Sequence, residues 1–280
     1  MTGREHFRRV LWISIALAVP ATLLVVLLLA PNMPPGDHTV QAGHQMDDTT
    51  ILLGLSTPIA IIVLTWFIYS IIVFRERDHS SVLEGPADRG AANYQIAWIA
   101  TTATIVLFLA VFGSVSMLQD GSGGGQGPSP IAKPDPPAGQ APLQIQVIAQ
   151  QWQFTYRFPS YRGVETQHLE LPANRLIEFH VTSLDVIHSW WAQQLGVKAD
   201  ANPGFDNVAY VQTKSPFKFD IRCVELCGVW HGYMFDTGTV VSDSDFTSWI
   251  AQEEQTYAPI LKSLPPYSTT YFPDPQRRGG

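Results

Sequence analysis

The chain has 280 residues, a formal net charge of −7 and two cysteines, which makes it too acidic to hold nucleic acid by charge and too poor in cysteine for a disulfide scaffold. Charged residues make up 15% of it against about 25% in an average soluble chain, and that deficit points to a membrane protein. The apolar residues, 46% of the total, are concentrated in three places.

Val10 to Ala30, Ile51 to Phe74 and Ile96 to Leu118 each lack Asp, Glu, Lys and Arg. A helix needs about 20 such residues to cross a bilayer core. The first run follows Arg4, Arg8 and Arg9 and fits either a secretory signal peptide or an additional transmembrane helix, assigned to residues 1–30. It holds no cysteine, which excludes lipoprotein processing. Residues 31–50 form a loop without Lys or Arg, whereas Arg75, Arg77 and Arg89 lie between the second and third runs. Because cytoplasmic loops collect Lys and Arg, the loop at 31–50 and everything after the third run belong outside. Residues 51–118 are thus a transmembrane hairpin with both ends on the outer face of a bacterial cytoplasmic membrane.

Residues 119–141 are Gly, Pro and Ser with scarcely an apolar side chain, the composition of a linker. From residue 142 to 255 the pattern changes to short runs rich in Val, Ile, Phe and Tyr, the signature of an all-β sandwich or barrel. Strands are expected at 143–149, 152–158, 175–182, 207–212, 217–222 and 238–241. In Leu143-Gln-Ile145-Gln-Val147 the apolar residues fall on one face. Ser242-Asp-Ser-Asp supplies cap residues for a short helix carrying Phe246, Trp249 and Ile250. Residues 256–280 are Pro-rich and read as an extended surface tail.

Both cysteines fall in Cys223-Val-Glu225-Leu-Cys227-Gly-Val-Trp-His231-Gly-Tyr-Met234. Thiolate and thioether select copper, and imidazole suits copper, iron or zinc, so this donor set points first to copper and electron transfer. Two readings compete. A disulfide would need the intervening residues to bend sharply, and a Cys2His2 zinc site completed by a distant histidine would leave Met234 unused. Copper sites of the cupredoxin type take one histidine from an early loop, and His188, just past an expected strand, is that candidate. His168 and His180 lie on or beside strands and are expected to pack.

With these motifs, and with Asp185-Val-Ile-His188-Ser, Leu195-Gly-Val-Lys198-Ala-Asp200, Pro203-Gly204 and Gln151-Trp152-Gln-Phe154-Thr-Tyr156, residues from about 51 to 255 resemble subunit II of haem-copper cytochrome c oxidases. The resemblance implies a membrane-anchored α+β chain, a transmembrane helical hairpin followed by an all-β cupredoxin Greek-key sandwich. It implies a binuclear copper centre of the CuA type, bridged by Cys223 and Cys227 and capped by His188 and His231. Met234 and the main-chain carbonyl of Glu225 would be its weak axial ligands. The Glu225 side chain would bind magnesium at the interface with the catalytic subunit I, and Trp152 would receive electrons from cytochrome c. Subunit III and other oxidase subunits are the further implied partners, and oxygen reduction coupled to proton translocation would occur in the partner subunit.

Asp185, Asp200 and Asp206 flank the ligand loops and are candidates for steering a basic cytochrome, with an ordinary solvated acidic face as the alternative. Three positions depart from the family's pattern: Phe154 stands for a second Trp, Phe205 for a basic residue, and Gln95 for a Glu at the mouth of a proton channel. A CuA subunit of a nitric oxide reductase and a free-standing membrane-anchored copper-binding protein remain alternative functions.

Overall fold

The computed structural model describes residues 2–75 and 90–262, so Arg77, His79, Arg89 and the chain beyond 262 lie outside the described residues. It divides into two units, one of residues 1–33 and 47–114, the other of residues 34–46 and 115–280.

The first unit is helical. Helix α1 (Gly3–Leu24) starts at a reciprocal cap in which the Thr2 hydroxyl accepts from Glu5 N–H and the Glu5 carboxylate accepts from Thr2 N–H. Helices α2 (Val40–Val73) and α3 (Ala92–Asp120) follow, and all three are long and apolar enough to cross a membrane. Val10, Ser14 and Ala18, four residues apart, give α1 one buried face of small and branched side chains. His6 Nδ1 lies 2.7 Å from the Tyr69 hydroxyl and Phe7 meets Trp66 edge-on, so the start of α1 packs beside the end of α2. The first three turns of α2 replace part of the expected 31–50 loop.

The second unit is a sandwich of two five-stranded sheets. The strands are β1 (Leu143–Gln150), β2 (Gln153–Phe158), β3 (Val164–Thr166), β4 (Leu169–Pro172), β5 (Leu176–Ser183), β6 (His188–Ala192), β7 (Val197–Ala201), β8 (Asn207–Gln212), β9 (Phe217–Cys223) and β10 (Phe235–Val241). One sheet has the order β3-β2-β1-β5-β8 and the other β4-β10-β9-β6-β7. The β1–β5 and β4–β10 pairs are parallel and the remaining pairs antiparallel, so the chain crosses repeatedly between sheets, as the cupredoxin expectation requires. Ile145, Tyr156, Phe158, Phe179, Trp190, Phe219 and Ile221 fill the space between the sheets. Four strands, β3, β4, β6 and β7, escape the sequence reading because they are short and lack a long β-branched run.

Helix α4 (Asp243–Leu261) closes one end, capped by Ser242, whose Oγ accepts from Asp245 N–H at 3.1 Å. Phe246 and Ile250 are buried and Phe158 meets Trp249 edge-on, ring centres 5.5 Å apart. The helix runs through residues 256–261, correcting the expected extended tail there, because Tyr257 still packs against the core.

Two segments read as loop and linker are parts of the sandwich. Thr39, Gln41 and Ala42 are fully buried. The Thr39 hydroxyl donates to Leu195 O (2.9 Å), Gln45 Nε2 donates to Gly196 O (2.7 Å), and Gln41 Oε1 accepts from Gln212 N–H (2.7 Å). In the expected linker, Gly125 N–H donates to Lys198 O, Gln126 N–H to Val208 O, and Val208 N–H to Gly127 O. These bonds satisfy the edge of the β7–β8 region, which offsets the ordering entropy that composition alone left uncompensated. Gly123, at φ +68°, is required there: a Cβ would stand 1.9 Å from Gly196 O.

Candidate metal centre

The sheet that carries β6, β9 and β10 sets the site. His188 begins β6, Cys223 ends β9 beside Trp190 of β6, and Met234 immediately precedes β10. The loop between Cys223 and Met234 is closed by Cys223 N–H donating to Met234 O at 3.0 Å. His188, Cys223, Cys227 and Met234 are 0%, 7%, 2% and 2% exposed, and His231 is half-buried.

All six donors of the sequence reading meet there. The two sulfurs are 3.7 Å apart, far beyond the roughly 2 Å of a disulfide, and both cysteines are free thiols. Cys223 Sγ lies 3.8 Å from His188 Nδ1 and 3.3 Å from the Glu225 carbonyl oxygen. Cys227 Sγ lies 3.5 Å from His231 Nδ1 and 3.8 Å from Met234 Sδ. The ligand atoms of His188, Cys223 and Cys227 all fall within 4.8 Å of one another. Two thiols, two imidazoles, a thioether and a carbonyl exceed what one tetrahedral zinc ion uses, and their softness suits copper. Burial, and the neighbouring Cys223 thiol, push the Cys227 thiol up to about 12 in the absence of metal, so metal uptake must displace protons.

Behind the donors stands a layer the sequence reading did not identify. Asp185 Oδ1 lies 2.9 Å from His188 Nε2, which fixes the ring with Nδ1 toward the sulfurs. Burial works against the Asp185 charge, but N–H groups of Gln151 and Val186 together with His188 hold its carboxyl below the usual range. Trp152 occupies the tip of the β1–β2 turn, half-buried, and its Nε1–H donates to Cys227 O at 3.2 Å. It is therefore not an interior core residue of the sandwich. Beside it a cavity of about 180 Å³ is lined by Trp152, Phe154, Met234, Phe235 and Asp236. Phe154 itself is buried.

Of the three carboxylates flanking the ligand loops, Asp200 is exposed and accepts from the Ser189 hydroxyl, whereas Asp185 is committed to His188. Asp206 is half-buried and lies 2.8 Å from His180 Nδ1. His180 is thus an ion-pair partner and not only a packing residue, and His168, also expected to pack, is exposed. Both differ from expectation because strand position indicates neither which face a neighbouring loop covers nor what charge it brings. The Glu225 side chain is exposed, as are the apolar side chains of the same loop, Leu226, Val229 and Tyr233 (79%, 88% and 72%), and those of Leu184 and Ile187 before His188. Phe205 is half exposed, and Gln95 lies in the first turn of α3.

A family model described as the periplasmic domain of cytochrome c oxidase subunit II matches residues 164–241, a stretch that contains all six donor residues. A probable cytochrome c oxidase subunit 2 of Rickettsia bellii is 26% identical over 254 residues, covering 80% of this chain and 84% of that protein. The cytochrome c oxidase subunit 2 of Thermostichus vulcanus is 27% identical, covering 76% of each chain. The chain is thus similar to cytochrome c oxidase subunit II, by family model over residues 164–241 and at 26–27% identity to relatives over most of its length. Among solved structures, the periplasmic domain of subunit II of the Bradyrhizobium japonicum cytochrome oxidase is 29% identical, covers 42% of this chain and 97% of that domain, and has a TM-score of 0.41. Those relatives are named as subunits of an oxidoreductase, cytochrome c oxidase.

Proposed function

We propose that this chain is the electron-input subunit of a terminal cytochrome c oxidase in a bacterial cytoplasmic membrane, taking electrons from cytochrome c and passing them to haem in the catalytic subunit. The observation that carries the reading is the set of six donors, four of them buried, with the Trp152 indole hydrogen-bonded to the main chain of Cys227. A copper pair held there would share one electron across two metals and two sulfurs, so that each bond changes little on transfer. Cys223, Cys227, His188, His231, Met234 and the Glu225 carbonyl would hold the pair, the two thiolates and the thioether supplying the soft donors copper favours. Burial of four of the donors keeps water from the metals, which suits electron transfer and leaves no open position for hydrolysis.

Trp152 presents a half-buried ring at the tip of a hairpin, where a donor protein can approach it, and its indole reaches a ligand residue in one hydrogen bond. Asp200, exposed on β7 opposite Ser189 of β6, attracts a basic donor, with Asp185 adding a partly shielded charge. Asp206, neutralised by His180, contributes least to docking. The exposed apolar side chains of the loop that carries Glu225, namely Leu226, Val229 and Tyr233, fit a face that meets the catalytic subunit, where the Glu225 carboxylate would hold magnesium.

The test is to mix the copper-loaded full chain with reduced cytochrome c and follow reduction of the copper optically. Reduction should be rapid, slow as salt rises, and fall by at least about tenfold in Trp152→Phe with the copper content unchanged. A copper-loaded chain that cytochrome c does not reduce would overturn the reading.

A further inference from the structure

The β1–β2 turn makes a second connection to the metal loops, through Gln151. Its main-chain N–H donates to Asp185 Oδ2 at 2.7 Å, and Asp185 Oδ1 holds His188 Nε2 at 2.9 Å. Its side-chain Nε2 donates to Cys227 O at 2.9 Å, the same carbonyl that accepts from Trp152 Nε1 at 3.2 Å. One residue therefore touches the early loop through Asp185 and the late loop through Cys227. With two donors, the Cys227 carbonyl has both lone pairs engaged, which fixes the plane of the peptide that follows the bridging cysteine. Space for this comes from Gly228, at φ +114°: a Cβ there would stand 3.0 Å from Gln151 Nε2 and 3.4 Å from the Trp152 ring.

We infer that Gln151 is a positioning residue for electron transfer: its side-chain amide clamps the Cys227 carbonyl and so fixes both the Cys227 sulfur and the contact that Trp152 makes with it. The inference rests on the copper reading given above. Gln151 is itself exposed, so a purely structural role would predict that replacing it changes little. The clamp predicts a local change instead, confined to Cys227 and Trp152, because Cys223 is held separately by β9 and by Met234 O.

Gln151→Met keeps length and removes both side-chain donors without adding charge. In the copper-loaded full chain it should retain the wild-type copper content, change the hyperfine couplings of the Cys227 β-protons while leaving those of Cys223 in place, and slow electron uptake from cytochrome c about tenfold, the usual effect of losing a partner one shell beyond a ligand. Identical Cys227 couplings and uptake would overturn the inference, and so would equal loss of both cysteines' couplings together with the copper. A measurement on the unaltered chain guards against a variant that fails to fold: the Gln151 side-chain amide protons should be protected from deuterium exchange, and rapid exchange would also overturn it. Wild-type chain that binds no copper pair defeats the functional reading, whereas a wild-type pair with an indifferent Gln151→Met defeats only the clamp.

Discussion

Replacing His180 with Gln tests the energetics of the outer domain most sharply. His180 lies on β5, 9% exposed, between Asp206 Oδ2 (2.8 Å from Nδ1) and Glu178 Oε1 (3.5 Å from Nε2), and the Tyr210 hydroxyl of β8 donates to the same Glu178 oxygen. Burial alone would lower its affinity for a proton, but hydrogen bonds to Asp206 and Glu178 outweigh that and raise its pKa from 6.5 to about 9. Glu178 moves the opposite way, its carboxyl lowered by the hydrogen bond to His180 against the effect of burial. At ~1.4 kcal/mol per unit, the rise on His180 is linked to about 3 kcal/mol of folding stability. Because the folded value is the higher one, this contribution is present in full below pH 6.5 and disappears as the pH climbs through about 9. Guanidinium unfolding of the detergent-solubilised full chain, with and without His180→Gln, should show a stability difference about 3 kcal/mol larger at pH 6 than above pH ~10. The variant's own loss of carboxylate pairing adds a constant offset, so the slope carries the test. A difference that stays flat from pH 6 to 10 would refute the argument.

Met234→Leu should keep copper and cost less than about 1.5 kcal/mol of stability, since the swap nearly conserves volume, while shifting the reduction potential and slowing electron transfer. Redox titration checks this, and an unchanged potential would remove Met234 from the axial position. Gly123→Ala should destabilise the outer domain by about 1–3 kcal/mol, because the new Cβ collides with Gly196 O and φ is positive there. Denaturant midpoints measure it, and a neutral result would mean that residues 121–127 do not stay on the β7–β8 edge.

The site was legible because metal chemistry is written in residue types at short spacing. Cys223, Glu225, Cys227, His231 and Met234 lie within twelve residues, and only His188 had to be found at a distance. The three apolar runs were legible for a related reason, since bilayer thickness imposes a length that composition reveals. What the sequence concealed depends on contacts between remote segments. Nothing local in Asp185 distinguishes a solvated docking carboxylate from one that holds His188 Nε2. His180 and Asp206 are 26 residues apart and meet only because β5 and the β7–β8 connection are adjacent. The Gly-rich stretch around Gly123 has the composition of a free linker, yet the absence of side chains is what lets its backbone reach Lys198 and Gly196. In each case the residue type was visible and its partner was not.

The central claim is that six donors on two loops hold a copper pair. Electron paramagnetic resonance of the copper-reconstituted full chain, with copper counted per chain, tests it most directly. A seven-line hyperfine pattern with two coppers per chain is the predicted result, because one electron shared equally between two copper nuclei gives that multiplicity. A four-line spectrum with one copper, or a silent zinc-loaded protein, would contradict it.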